Sequence, residues 1–386
     1  MRLKRLPRLL GLLLALCAAL NGAPSHAQTT LTIWHTWQPA QAALLEAWLA
    51  DYAPIRDGSL QIEVRYVPLG QLSAQLNDPT VRPPDVILSV SDAFAQPAVR
   101  RFAAALDRNL TPELRQALTP LAWQLAQYDG RTLALPLALE SYTLYVNRAR
   151  VQAGSPSTLR ELAAQAAEYG LILPRDFYPT AGMFFALNGA LLNENGESAL
   201  SVNALGNYLI ALRTLAQSDG VLLGAPEDRF RAGEIGYLLA GSWRLPILRA
   251  ALGEQLGTVA LPSVEGRAWQ PVARAWQLYL GLGSPFRPQS LDLWRYLVSE
   301  SAQARALAYG FLPVLPSAAV NSPLAPLASA LYSAGVPLPN RPELAALWLP
   351  LRQAINAVLD ENSDPLTAAA SAVARAAEGI AALRAQ

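Results

Sequence analysis

Few side chains in this sequence can do chemistry, and their positions narrow what that chemistry is. "LTIWHTW" ends a strand-like run and sets Trp34, His35 and Trp37 close together, with Gln38 directly after. Flat rings beside hydrogen-bonding groups suit a solute with apolar faces and hydroxyl edges, as a sugar has. Asp92 in "SVSDAF" and Glu140 in "LALPLALESYTL" supply carboxylates. Glu140 stands out because it interrupts an apolar extended run, where a lone charge needs a partner or a wet cleft. Trp243 in "AGSWRLP" follows another strand-like run, and Trp348 lies inside "ELAALWLPLRQAI". Each has a structural alternative: core packing for the tryptophans, a hydrogen-bonded imidazole for His35, a helix cap for Asp92, an arginine ion pair for Glu140.

The inventory excludes most reactions. Residues 1–27 read as an export signal: Arg2, Lys4, Arg5 and Arg8, then the apolar run Leu9–Leu20, then "SHA" at Ser25–Ala27 as a cleavage site. The run is too short to span a bilayer, which takes about 20 apolar residues. Cys17 lies in this run behind Leu16, where a lipidated cysteine would follow a small residue; an uncleaved or lipid anchor is the alternative. Without the leader, 26 basic side chains stand against 29 acidic ones, a net charge of −3. That balance gives no reason to expect nucleic acid or an acidic membrane as partner. The mature chain has no cysteine, no lysine and one histidine, His35. A thiolate nucleophile, a Schiff base and a multi-histidine metal site are therefore excluded, and no cofactor or metal is expected.

The positioning elements read as α/β. "TLTIW" and "PPDVILSV" are strand-like, "LQIEVRYVP" alternates with Leu60, Ile62, Val64 and Tyr66 on one face, and Leu44, Leu45, Trp48, Leu49 and Tyr52 recur at helical spacing. Strand–helix–strand order predicts right-handed crossovers and a mainly parallel sheet. A second α/β unit follows, with helices predicted over 158–169, 204–218 and 226–232 and strands at "GYLLAG" and "GTVALP". "AWQLYLGLG" is a further strand, followed by one helix over 291–308, a proline-rich stretch and a helical last forty residues. Ligands of open parallel sheets bind at the carboxyl ends of strands, where the Trp34–Trp37, Ser89–Phe94 and Leu139–Tyr142 clusters fall.

Taken in order, "LTIWHTW", "PPDVILSVSDAF", "YDGRTLALPLALESYTLYVNRAR", "FRAGEIGYLLAGSWRLP", "LWRYLVSESAQARALAYGFLPVLPSA" and "ELAALWLPLRQAINAVL" resemble the extracellular solute-binding proteins of ABC importers, in their carbohydrate-binding, maltose-binding-protein-like group. The resemblance implies a two-lobed periplasmic-binding-protein fold of type II character, closing on a sugar about a hinge with several chain crossings. It implies a first lobe of residues 28–138 and 276–313, a second of 143–273 and 317–386, and hinge segments 139–142, 274–275 and 314–316. Glu140 matches a sugar-binding glutamate, Trp243 and Trp348 match stacking positions, and Phe184 or Phe185 falls near another aromatic site. Trp34, His35 and Asp92 occupy first-lobe loops that commonly face the ligand. "VARAW" departs from the group's usual small residues and puts the bulk of Arg274 and Trp276 near the second crossing, which leaves the ligand's size and orientation open.

The expected partners are a small carbohydrate and the membrane permease of an ABC importer, met by a monomer in the periplasm or on the outer face of the cytoplasmic membrane. Two other readings compete. The same fold holding a phosphorylated polyol would need clustered arginines, for which Arg244 and Arg274 are the candidates, and a polyamine would need several carboxylates. An exported glycoside hydrolase would use Asp92 and Glu140 as its carboxyl pair.

Overall fold

The computed structural model describes residues 29–319 and 322–385; the leader at 1–27, with Cys17 and His26, lies outside them. The chain opens with β1 (Thr29–His35), α1 (Pro39–Asp51), β2 (Leu60–Tyr66) and β3 (Val86–Val90). It then reaches β4 (Leu135–Glu140), from which it runs through Ser141 into β5 (Tyr142–Asn147). Next come α2 (Leu159–Tyr169), β6 (Leu171–Leu173), α3 (Phe177–Ala186), α4 (Val202–Ala216), β7 (Val221–Leu223), β8 (Tyr237–Gly241) and β9 (Leu256–Val259). The long β10 (Val272–Leu280) precedes α5 (Arg287–Leu297), α6 (Glu300–Ala308), β11 (Leu312–Pro313) and β12 (Val336–Pro337). Two helices close the chain, α7 (Ala345–Leu359) and α8 (Pro365–Arg384).

Two large sheets result, one per lobe, beside two small two-stranded ones. The first has the order β11-β4-β10-β3-β1-β2, with β12 also on β10; the second runs β9-β5-β8-β6-β7. Every residue of β3 is buried, which its unbroken apolar run requires. β2 sits at the edge, and the face expected to be apolar is only half used: Leu60 is buried, yet Val64 and Tyr66 are over 40% exposed.

Both sheets are mixed rather than mainly parallel. β1 pairs in parallel with β2 and β3, but β10 is antiparallel to both β3 and β4. The reason is topological: β10 enters the first sheet on the chain's return from the second, so no right-handed crossover sets its direction. The helix expected over 291–308 is two, because Ser299 caps α6 by accepting from the Ala302 N–H. α2 begins as expected, with Thr158 accepting from the Glu161 N–H. In the second lobe α8 lays Ala368, Ala369, Ala372 and Ala376 against the core, so its alanine-rich face is a packing surface.

Candidate functional site

The passage from β4 to β5 places Glu140 at the last residue of β4, in the first sheet, and Tyr142 at the first of β5, in the second. Arg274 of β10 stands opposite Glu140 in the strand register, so both project at the boundary between lobes. Its Nη1 lies 3.4 Å from Glu140 Oε1, while Nη2 donates to Asp92 Oδ1 at 3.0 Å. The Trp276 indole N–H donates to the other Glu140 oxygen at 2.7 Å. Glu140 is only 3% exposed, so these two donors do what water would otherwise do for the carboxylate. Burial pushes its pKa up; Arg274 and the Trp276 hydrogen bond oppose that rise. Burial also works against the charge of Arg274, but Asp92 and Glu140 outweigh it and hold the guanidinium protonated.

Aromatic rings from the second lobe cover this cluster. Arg274 Cζ lies 5.8 Å from the centre of the Tyr178 ring, a residue of α3. Tyr142 meets Tyr178 edge-on at 5.4 Å and Trp243 edge-on at 5.3 Å. Burial raises both phenols, Tyr142 to about 12, so they are neutral donors at any ordinary pH. The Tyr178 Oη is enclosed and makes no hydrogen bond among the described residues. Trp243 folds back over Gly241, where an added Cβ would come within 2.3 Å of the indole. The Gly-x-Trp spacing therefore has a steric basis: any side chain at 241 moves the ring.

The other expected residues divide. Trp348 of α7 is partly buried and packs toward Phe177 at 6.3 Å, still keeping some exposed surface. Gln38 is exposed and donates to the Tyr66 Oη at 3.3 Å, and His35 faces the same tyrosine at 5.6 Å. His35 is 6% exposed, and burial lowers its pKa below 6.5. Trp34 is 4% exposed and capped by Arg65, whose Cζ lies 5.0 Å from the ring. Trp37 has no exposed surface: it is enclosed by Trp48, Trp276 and Phe311 in the first lobe's core. Phe184 is likewise fully enclosed, against Phe177, Phe185 and Tyr208. Both are corrections to the ligand-facing expectation, because an enclosed ring offers no face on which to stack. Asp92 is no cap either: it lies inside the short 3-10 helix Ser91–Ala95 and turns to Arg274.

Sequence reasoning missed Tyr178. Its signal was the aromatic pair "FY" just after the cap Asp176, at the start of a helix over 177–186 that was not predicted. A groove of about 720 Å³ lies elsewhere, between α2, α4 and the Glu265–Arg267 turn, and contains none of these residues. Among the described residues no group of three or more His, Cys, Asp or Glu side chains is placed to hold a metal ion.

Two mixed α/β sheets, with the chain passing from one to the other where β4 leads through Ser141 into β5 and with charged and aromatic side chains meeting at that junction, define a two-lobed periplasmic-binding-protein fold. Comparison with known proteins makes the assignment narrower. The chain belongs to the bacterial extracellular solute-binding protein family, whose profile matches residues 56–329. It is an exported binding protein, and the family is not one of enzymes. The maltotriose-binding protein of Pyrococcus abyssi is 20% identical over 355 residues, 86% of this chain and 78% of that one. Among solved structures, the cyclic α-maltosyl-1,6-maltose-binding protein of Arthrobacter globiformis superposes with a TM-score of 0.78 at 18% identity, covering 91% of this chain and 99% of the other. The GacH receptor of Streptomyces glaucescens, solved unliganded and with acarbose, gives 0.75 at 21% identity, over 92% and 98%. The maltotriose-binding protein of Thermus thermophilus gives 0.74 at 21%, over 91% and 100%.

Proposed function

We propose that the protein is the sugar-binding subunit of an ABC importer, taking a sugar or oligosaccharide between its lobes and delivering it to a membrane permease. The observation that carries the reading is the meeting of Tyr142, Tyr178 and Trp243 with Asp92 and Glu140 where the lobes join. Aromatic faces suit the C–H faces of a sugar ring, and the partly open carboxylate of Asp92 suits its O–H groups. Relatives named for maltotriose and other maltose-based sugars support the same class.

Hinge segments at 139–142, 274–275 and 314–316 are part of the proposal. Support comes from the β4–β5 passage at Ser141, from Arg274 in register with Glu140, and from β11 ending at Pro313. A ligand closes the lobes only by binding the closed form more tightly, and that form would present the face the permease reads. The phosphorylated-solute reading loses ground, because both candidate arginines are committed: Arg274 to two carboxylates, Arg244 to Glu227 through Nε at 2.9 Å and again through Nη2. The hydrolase reading loses its carboxyl pair to the same guanidinium.

Isothermal titration calorimetry of the mature chain against a panel of malto-oligosaccharides and other sugars is the test. Saturable one-to-one binding is expected. Silence to every sugar, with a phosphorylated polyol or a polyamine binding instead, overturns the proposal.

A further inference from the structure

We infer that the cleft prefers a sugar carrying a protonated amine and excludes sugars carrying a carboxylate or phosphate. Behind this is one juxtaposition: a single guanidinium, shared by two carboxylates, beneath rings set at right angles. The inference rests on the carbohydrate reading above and names the class of sugar.

Charge is the first leg. Arg274 serves both Asp92 and Glu140, and each neighbouring arginine has its own acid: Arg244 pairs with Glu227, Arg352 with Asp176 at 3.7 Å. The groups around Glu140 are donors, the Trp276 N–H and the guanidinium, which suits an ionised carboxylate. Two carboxyl groups thus share one guanidinium, and neither pairs with a second cation among the described residues. An arriving anion meets no uncommitted cation there.

Geometry is the second leg. Asp92 accepts from Arg274 through Oδ1, but Oδ2 makes no hydrogen bond among the described residues, and a third of the side chain is open. That oxygen is an acceptor awaiting a donor, and an ammonium is the strongest donor a sugar can carry. Tyr142 stands at 87° to Tyr178 and at 80° to Trp243. Aromatic faces attract organic ammonium groups, and Tyr142, Tyr178 and Trp243 each keep part of their surface open. Arg274 over the Tyr178 face shows that this ring already accepts a cation. Specificity follows as much from what the site repels as from what it attracts.

The test is calorimetry on the mature chain with three matched probes: a glucose disaccharide, the same disaccharide with an amine in place of one hydroxyl, and its uronate. The expected order is amine, neutral, acid, with the amine about ten-fold tighter than the neutral sugar at low salt and the gap narrowing as salt is raised. Asp92→Asn should bring the amine-to-neutral ratio toward one. Arg274→Gln, which adds a net negative charge, should widen it. Equal binding of amine and neutral sugar, or tightest binding of the uronate, overturns this inference and leaves the carbohydrate reading standing. Silence of all three probes and of the wider sugar panel overturns both.

Discussion

Replacing Arg274 with methionine keeps the length and apolar stem of the side chain while removing its charge. Two carboxylates then lose their shared cation, at 3.0 Å from Asp92 and 3.4 Å from Glu140. Breaking a buried pair costs about 3–5 kcal/mol, and the open third of Asp92, which water can reach, places the expectation near the lower end, about 3 kcal/mol. The loss has a pH signature. Burial already raises the Glu140 pKa above 4.5, and without Arg274 it rises further. A carboxyl whose folded pKa is raised stabilises the fold fully below its unfolded value and loses that contribution as pH rises through the folded one. The variant's deficit should therefore be large at pH 7 and shrink as the pH falls toward 4.5. Adding Glu140→Gln should recover part of the deficit at pH 7, because no charge is then left unpaired. Urea unfolding of the four proteins of this cycle at both pH values measures all of it. A deficit equal at the two pH values, or no recovery in the double variant, refutes the claim that Arg274 neutralises Glu140.

Three further outcomes follow from the same geometry. Trp276→Phe keeps the packing against Trp37 and Phe311 but removes a donor from a buried carboxylate, which should cost about 1–3 kcal/mol in urea unfolding; an unchanged midpoint would show that the indole N–H does not matter. His35 is held neutral by burial, so its contribution is complete above pH 6.5 and lost as pH falls through its lowered folded pKa. His35→Gln should flatten the stability profile just below pH 6.5, and a slope identical to wild type counts against a buried neutral imidazole. Gly241→Ala forces the Trp243 ring aside and should weaken sugar binding about ten-fold with little change in melting temperature, read by calorimetry beside a thermal melt. Full affinity in that variant would mean that Trp243 does not stack on the ligand.

Much of the fold was legible because burial writes itself as periodicity. β3 is a continuous apolar run and is buried throughout, and the helix predicted from Thr158 begins there; the cap Ser299, by contrast, sits inside an unbroken helical pattern and splits it in two. Strand direction was not legible, since nothing local to "AWQLYLGLG" says that β10 enters antiparallel after a passage through the other lobe. The site was legible where a polar residue broke an apolar pattern. Glu140 could be singled out for that reason, and the arginine partner weighed against a wet cleft is indeed present. Trp37 and Phe184 could not be separated from Trp243 on sequence, because an aromatic ring enclosed in a core and one left partly open occur in the same kind of segment. What distinguishes them is the three-dimensional neighbourhood: Phe311 and Trp276 enclose Trp37, whereas Trp243 is fixed by one tyrosine edge and a glycine. Arg274 looked like a bulky departure, and only the strand register shows that it answers both carboxylates.

The most direct measurement is a crystal structure of the mature protein grown with a sugar that calorimetry has shown to bind. The account predicts the sugar at the junction of the lobes, its ring on Trp243, Tyr142 or Tyr178 and a hydroxyl or amine on Asp92. A sugar bound in the groove between α2 and α4, or anywhere that leaves the Asp92–Arg274–Glu140 cluster untouched, would contradict it.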